Sequence, residues 1–117
     1  MTIHWNTHTG HFPEAKRRMY QKVYRLHKSD FVKSYKIGIT NDPDGRLRDY
    51  QLYGHRYNHL YVIYETQSLV YVREMEKYLV KKFWDHCDNQ IRGGGGGYGY
   101  PPYYTYVVAH IPKKYER

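Results

Sequence analysis

The sequence predicts an α+β fold in which helices flank a small, mainly antiparallel β-sheet. Residues 60–64 form a nearly continuous apolar run of strand length, which is typical of an inner strand. Residues 69–83 instead repeat apolar side chains at the three-four spacing of a helix with one buried side. Because 117 residues support one modest core, we expect a single domain over residues 1–117.

The first forty residues predict an arm, a helix and a β-hairpin. Residues 1–12 are polar and rich in histidine, and we expect them to form a polar arm. Pro13 is typical of the first turn of a helix. Residues 22–26 and 35–40 are rich in β-favouring side chains, and a polar loop separates them. We therefore expect these two segments to pair as a hairpin.

Two further helices have clear start signals. Asn41 or Asp42 suits the N-cap of a helix that has Pro43 in its first turn. This cap explains how the chain turns abruptly after the preceding strand. Thr66 or Ser68 suits the N-cap of the longer helix that follows the apolar strand.

The C-terminal part predicts a glycine-rich loop, a strand and a basic tail. Residues 92–99 include five consecutive glycines, which regular structure does not accommodate. No Gly-Lys-Ser or Gly-Lys-Thr follows them, so a phosphate-binding loop of the Walker type is excluded. Residues 103–109 have strand character, and residues 111–117 form the basic tail.

The chain is strongly basic, which favours an anionic partner. Its 19 Lys and Arg residues against 11 Asp and Glu residues give a formal charge of +8. Nucleic acid is the commoner partner of such proteins, and an anionic membrane surface is the alternative. No apolar run approaches the length of a membrane span, and a single cysteine, Cys87, excludes an intrachain disulfide. We therefore expect a soluble, intracellular protein without a membrane segment.

The second strand of the predicted hairpin carries the first candidate site residues. If its odd-numbered residues point to the core, Lys36, Gly38 and Thr40 lie on the opposite face. In the predicted hairpin, Tyr24 shares that face. Because glycine has no side chain, Gly38 allows a backbone or a phosphate to approach the sheet closely.

The two later helices add charged side chains. Arg46 has a planar fork that suits phosphate oxygens, and Tyr50 lies one turn later on the same side of the helix. Glu76 occupies a position where the stripe of its helix predicts an apolar residue. A carboxylate there suits Mg²⁺, which often binds one or two carboxylates together with water and substrate oxygens. A phenol, an ammonium, a guanidinium and a carboxylate are together the groups that a metal-assisted phosphodiesterase needs.

In their order and spacing these residues resemble the GIY-YIG nuclease superfamily. The residues that carry the resemblance are Lys22-Val23-Tyr24, Lys36-Ile37-Gly38, Arg46 and Glu76. The segment YKIGIT is closest to the branch that has Lys in the second half-motif, and the resemblance covers roughly residues 21–84. It implies a GIY-YIG-like fold and a metal-dependent endonuclease that hydrolyses phosphodiester bonds of DNA, with RNA as the second candidate.

The resemblance also implies a role for each catalytic residue. Tyr24 would take a proton from the attacking water, with the positive charge of Lys36 beside it. Arg46 would bind the scissile phosphate, and Glu76 would hold Mg²⁺, or Mn²⁺ in its place, at the leaving oxygen. We expect the substrate-binding residues to be Gly38, Thr40, Arg48 and Tyr50. A monomer or a homodimer fits this chemistry, with a separate protein for specificity as an option.

Other functions stay open at this point. A non-catalytic nucleic-acid-binding module on the same fold would give Glu76 a structural role, and a basic protein–protein adaptor would not bind DNA. His4, His8 and His11 have a spacing that brings them together on a helix as a zinc site, but no carboxylate or thiol stands at a standard spacing. The aromatic residues at 100–104 suit either base stacking or a rigid turn into the last strand.

Overall fold

In the part of the chain that the structure describes, four β-strands form one mixed sheet flanked by three α-helices. This computed structural model describes residues 2–90 and 99–115. Its elements in chain order are β1 (Thr2–His8), α1 (Phe12–Lys28), β2 (Ser34–Thr40), α2 (Pro43–Leu52), β3 (His59–Thr66), α3 (Leu69–Lys82), β4 (Tyr103–His110) and a short 3₁₀ helix (Lys113–Tyr115). The strand order is β1-β3-β4-β2, with β1 and β3 parallel and the other pairs antiparallel. The predicted α+β class and mainly antiparallel sheet are confirmed.

Helices cover both faces of the sheet. Ile37 of β2 and Val107 of β4 belong to the core that packs against α1 and α3. Tyr106 and Val108 of β4 pack on the other face, against Leu47 of α2. Because successive side chains of a strand point to opposite faces, the two inner strands β3 and β4 contribute to both cores.

The start signals of α2 and α3 and the inner position of β3 are confirmed. Asp42 caps α2, and its carboxylate accepts a hydrogen bond from the Gly45 amide at 3.2 Å. Ser68 caps α3, and its hydroxyl accepts a hydrogen bond from the Tyr71 amide at 3.1 Å. β3 lies between β1 and β4, which is the inner position that its apolar run predicts.

The hairpin predicted with residues 22–26 as its first strand is wrong, since those residues lie within α1. Ala15, Met19 and Val23 follow one another at four-residue spacing, and all three are fully buried in the core beneath α1. This helical period over 17 residues outweighs the β-favouring side chains of a five-residue window. Tyr24 therefore lies on a helix and does not pair with β2.

The N-terminal segment is more regular than the polar arm predicted for residues 1–12. Thr2–His8 form β1 at one edge of the sheet, where Ile3 pairs with Leu60 of β3. Partly buried Ile3 packs on the α2 face of the sheet. The strand docks through its ladder with β3 and through ring contacts such as His4 on Tyr61, and its single apolar core contact leaves too little pattern to predict it.

The predicted glycine-rich loop and basic tail lie only partly within the described residues. Of the predicted glycine-rich loop at 92–99, only Gly99 is described. Of the basic tail at 111–117, Lys113–Tyr115 form the 3₁₀ helix. The single-domain prediction for residues 1–117 stays a prediction. None of the helices within residues 2–90 and 99–115 is long and apolar enough to cross a membrane.

Candidate active site

A pocket of about 690 Å³ lies beside β2, the outermost strand on one side of the sheet. Five of the eight site residues predicted from the sequence line it, although they come from three different elements. They are Lys36 and Gly38 of β2, Arg46 and Tyr50 of α2, and Glu76 of α3. The pocket therefore brings an ammonium, a guanidinium, a phenol and a carboxylate together.

The other three predicted site residues lie elsewhere. Tyr24 is 44% exposed on α1 and does not line the pocket. Thr40 and Arg48 line a neighbouring depression at the start of α2, which shares only Arg46 with the pocket. Buried Thr40 accepts a hydrogen bond from the Asp42 amide at 3.0 Å, so its hydroxyl helps to shape the turn into α2.

Two tyrosines form a hydrogen-bonded pair at the base of the pocket. The hydroxyls of Tyr50 and Tyr106 lie 2.7 Å apart, and both side chains are buried. Burial raises the pKa of each phenol, and the hydrogen bond to Tyr106 and the nearby Arg46 guanidinium offset only part of the rise at Tyr50. Both phenols are therefore protonated at neutral pH, and one hydroxyl donates to the other.

The phenol of Tyr106 lies directly over Gly38, its cross-strand neighbour. A Cβ atom on residue 38 would lie 2.9 Å from Cε2 of Tyr106 and closer still to Cζ and the hydroxyl. Side chains do not tolerate such distances, so glycine is required here by the ring. The open floor predicted at Gly38 for a phosphate is wrong, because Tyr106 occupies it.

The charged groups of the pocket act on the same pair of phenols. Lys36 Nζ lies 5.8 Å from the centroid of the Tyr50 ring, within the range of a cation–π contact. Arg46 lowers the pKa of Tyr106 and Glu76 raises it, both as smaller effects than burial. Glu76 is 8% exposed, so the prediction that α3 directs a carboxylate inwards is confirmed. Glutamate is seldom buried without a partner or a function.

The segment after α3 closes the outer edge of β2. The Asp88 amide donates to the Tyr35 carbonyl at 2.8 Å. The Asn89 side chain accepts from the Ile37 amide at 2.9 Å and donates to the Ile37 carbonyl at 2.8 Å, as a neighbouring strand would. Tyr57 donates to Oδ2 of Asp88 at 2.6 Å and ties this segment to the loop after α2.

Several pocket residues were missed by sequence reasoning. Strand parity identifies Tyr106 in principle, because it lies on an evident strand and shares a face with Lys36 once that strand pairs with β2. His55 and Tyr57 lie in the irregular segment between α2 and β3, and Asn89 follows α3, so no periodic pattern marks them.

The pocket lining contains two carboxylates, Glu76 and Asp88, and carboxylate oxygens are ligands that a hard divalent cation takes. Within the described residues, no group of three or more His, Cys, Asp or Glu side chains is placed to hold a metal, and His4, His8 and His11 form no such group. Mg²⁺ does not need one, since it usually keeps several waters and binds one or two carboxylates together with substrate phosphates. Glu76 suits that arrangement.

A model of the T5orf172 domain family matches residues 21–95, more than half of the chain. The chain belongs to the T5orf172 domain family. The resemblance to the GIY-YIG nuclease superfamily was therefore wrong, because a different family matches. The structure gives a physical reason as well, since the first half-motif at Lys22-Val23-Tyr24 lies on a helix.

The T5orf172 segment contains most of the pocket. Lys36, Arg46, Glu76 and Asn89 fall within it, whereas Tyr106 follows it. No curated protein and no solved structure matches the chain. The name T5orf172 states neither a reaction nor a ligand, so function has to be argued from the pocket itself.

Proposed function

We propose that this T5orf172 protein is a Mg²⁺-dependent endonuclease that hydrolyses phosphodiester bonds of DNA. The observation that carries the proposal is the convergence of Lys36, Arg46 and Glu76 on one pocket. Two cations suit the negative charge of a phosphate, and a buried carboxylate suits a hard metal ion. The formal charge of +8 supports a polyanionic substrate.

Arg46 is the group best suited to bind the scissile phosphate. It is exposed at the rim of the pocket, and its planar guanidinium can donate two parallel hydrogen bonds to phosphate oxygens. Lys36, on the neighbouring strand, adds a second positive charge to the same pocket. Both cations stabilise the negative charge that grows on the phosphate oxygens during hydrolysis.

Glu76 is the residue that would hold Mg²⁺. When bound there, the ion supplies Lewis-acid stabilisation of the phosphate and of the leaving oxygen. Glu76 is buried on α3 and lines the pocket, which suits a carboxylate that would hold a metal ion there. The neutral phenols of Tyr50 and Tyr106 act as hydrogen-bonding groups at the base of the pocket.

His55 is the best candidate for the group that activates water. The structure leaves Tyr24 outside the pocket, and the two buried phenols hold their protons too firmly to act as bases. Histidine is the most frequent general base in enzymes, and among the described residues His55 is the one imidazole in the pocket lining. Its ring lies edge-on to Tyr50, with centroids 5.5 Å apart.

Cleavage and binding of a fluorescein-labelled DNA duplex test these roles together. We expect Arg46→Ala to cleave DNA about 100-fold more slowly and to bind it more weakly. His55→Gln should lose cleavage while it keeps affinity. Lys77→Ala is the matched control, because it removes an exposed cation of α3 that does not line the pocket. If Arg46→Ala behaves like Lys77→Ala, the assignment of the phosphate site is wrong.

A non-catalytic nucleic-acid-binding module is the second candidate function. The observation that favours it is the formal charge of +8, which suits a nucleic-acid partner whether or not the pocket is catalytic. This candidate predicts that DNA is bound but never cut, with or without Mg²⁺. It also predicts that Glu76 contributes to stability alone.

A further inference from the structure

The outer side of α1 is strongly cationic. Six Lys and Arg residues in this helix stand against a single carboxylate, Glu14. The six cations are Lys16, Arg17, Arg18, Lys22, Arg25 and Lys28. Glu14 is also the only acidic residue between positions 1 and 29 of the sequence. Glu14 lies within one turn of Arg17 and Arg18, whereas no acidic residue of the helix lies within one turn of Lys22, Arg25 or Lys28.

Three of these cations form a row along one side of α1, which we name the α1 basic face: Arg18, Lys22 and Arg25. Their spacings of four and three residues make them neighbours on a helix surface. Opposite charges at these spacings stabilise a solvated helix, and like charges destabilise it. The row thus repels itself, and its repulsion adds to burial in lowering the pKa of Lys22.

The α1 basic face contacts the adjacent strand β1. The Lys22 ammonium donates a hydrogen bond to the Asn6 carbonyl of β1. His8 lies near enough for Arg18 and Lys22 to lower its pKa, in addition to the larger effect of burial. The strand therefore holds Lys22, the central lysine of the face, in place.

Neither the core nor the pocket uses these cations. The opposite side of α1 carries Ala15, Met19 and Val23, which are the residues buried in the core. Among the described residues, none of those that line the pocket belongs to α1. Arg18 and Arg25 are exposed and serve neither purpose, so their charges face solvent where an anionic partner can neutralise them.

We propose that the α1 basic face binds the phosphate backbone of the nucleic acid at a distance from the active-site pocket. This inference rests on the proposed function, because it gives the DNA that flanks the cleaved bond a second contact. Arg18 to Arg25 span about 10 Å of helix axis. Duplex DNA carries one charge per roughly 1.7 Å of its axis, so the row lies beside about six phosphate charges. Such contacts are independent of base sequence.

The test compares two triple variants of the full chain that remove the same charge from different surfaces. Arg18→Ala/Lys22→Ala/Arg25→Ala removes the face. Lys33→Ala/Lys113→Ala/Lys114→Ala is the control, since these exposed lysines lie near the C-terminal 3₁₀ helix. Affinity for a labelled duplex of about 30 base pairs, roughly 100 Å long, is measured in EDTA between about 50 and 200 mM salt.

We expect the slope of log affinity against log salt to fall by about 2.7 in the first variant, since each phosphate contact contributes about 0.9. The control should keep a slope near that of the wild type. Equal losses in the two variants, or a wild type whose affinity does not depend on salt, would overturn the proposal. Binding of an acidic protein in place of DNA would overturn it as well.

A second variant separates the loss of phosphate contacts from the loss of the Lys22 contact to β1. Arg18→Ala/Arg25→Ala removes the other two cations of the face but keeps Lys22 and its hydrogen bond to Asn6. Its salt slope should fall by about 1.8, the contribution of two phosphate contacts, while its circular dichroism and melting temperature stay those of the wild type; an unchanged slope contradicts the proposal. Binding is measured without metal and does not require cleavage. If the wild type binds through α1 but never cleaves DNA in Mg²⁺, only the proposed nuclease function is refuted.

Discussion

The hydroxyls of Tyr50 on α2 and Tyr106 on β4 form a 2.7 Å hydrogen bond at the base of the candidate active site. Tyr106 is 2% exposed and Tyr50 is 7% exposed, so each hydroxyl depends on the other rather than on bulk water. The pair links the helix that carries Arg46 to the sheet that carries Lys36. The hydrogen bond therefore joins the helix and the sheet that carry the two cations of the pocket.

Removing one member of the pair should cost more than removing both. Tyr50→Phe leaves the buried Tyr106 hydroxyl without its partner, which we expect to lower the free energy of unfolding by about 1–3 kcal/mol. Tyr50→Phe/Tyr106→Phe removes both hydroxyls and should recover most of that loss. Urea unfolding of the two single variants and the double variant measures this coupling. Additive losses would show that the hydroxyls do not depend on each other.

Gly38→Ala should destabilise the protein by about 1–3 kcal/mol, because the added methyl group displaces the Tyr106 ring. Tyr106→Leu removes the atoms that would clash. Alanine at position 38 should therefore cost much less in a Tyr106→Leu background than in the wild type. The same loss in both backgrounds, measured by urea unfolding, would mean that the ring does not dictate glycine.

Much of the pocket was predictable from local patterns, since strand parity, helix caps and the broken apolar stripe place Lys36, Arg46 and Glu76 correctly. Tyr24 was misplaced because a five-residue window of β-favouring side chains is a weaker signal than the long helical period around it. Gly38 was expected to let a backbone or a phosphate approach the sheet, whereas the ring of Tyr106 lies there. That outcome depends on how β2 and β4 pair, which local patterns do not state.

We expect the Asn89 side chain to protect the Ile37 amide, at the outer edge of β2, from hydrogen exchange with solvent. Asn89→Leu removes both hydrogen bonds to the Ile37 backbone, and we expect a loss of about 1–3 kcal/mol in unfolding free energy. The Ile37 amide should also exchange its hydrogen with solvent faster. Asn89→Asp is the control, because its carboxylate still accepts from the Ile37 amide. If that amide exchanges equally slowly in all three proteins, another group protects the edge.

Because Tyr50 and Tyr106 are buried, we expect the protein to lose stability at alkaline pH. Unfolded tyrosine has a pKa of about 10, and burial raises the folded-state pKa of Tyr50 and Tyr106. Above about pH 10 the folded state thus retains phenol protons that the unfolded state releases. The contribution of these phenols to the free energy of unfolding is fully present below about pH 10 and is lost as the pH rises above it. Melting temperatures measured across this range should fall, and less steeply for Tyr50→Phe/Tyr106→Phe. An equally steep fall for that variant would rule out these two phenols as the cause.

The endonuclease proposal is tested most directly by cleavage of supercoiled plasmid, with wild type and Glu76→Gln compared in Mg²⁺ and in EDTA. Glutamine keeps the size of the Glu76 side chain but removes the charge that would hold the metal. We expect the wild type to nick the plasmid in Mg²⁺ and not in EDTA, and Glu76→Gln to be inactive while it still retards the plasmid on a gel. Metal-independent nicking, or equal nicking by both proteins, would contradict a catalytic role for Glu76. Retardation by both proteins without nicking would instead support the non-catalytic binding module.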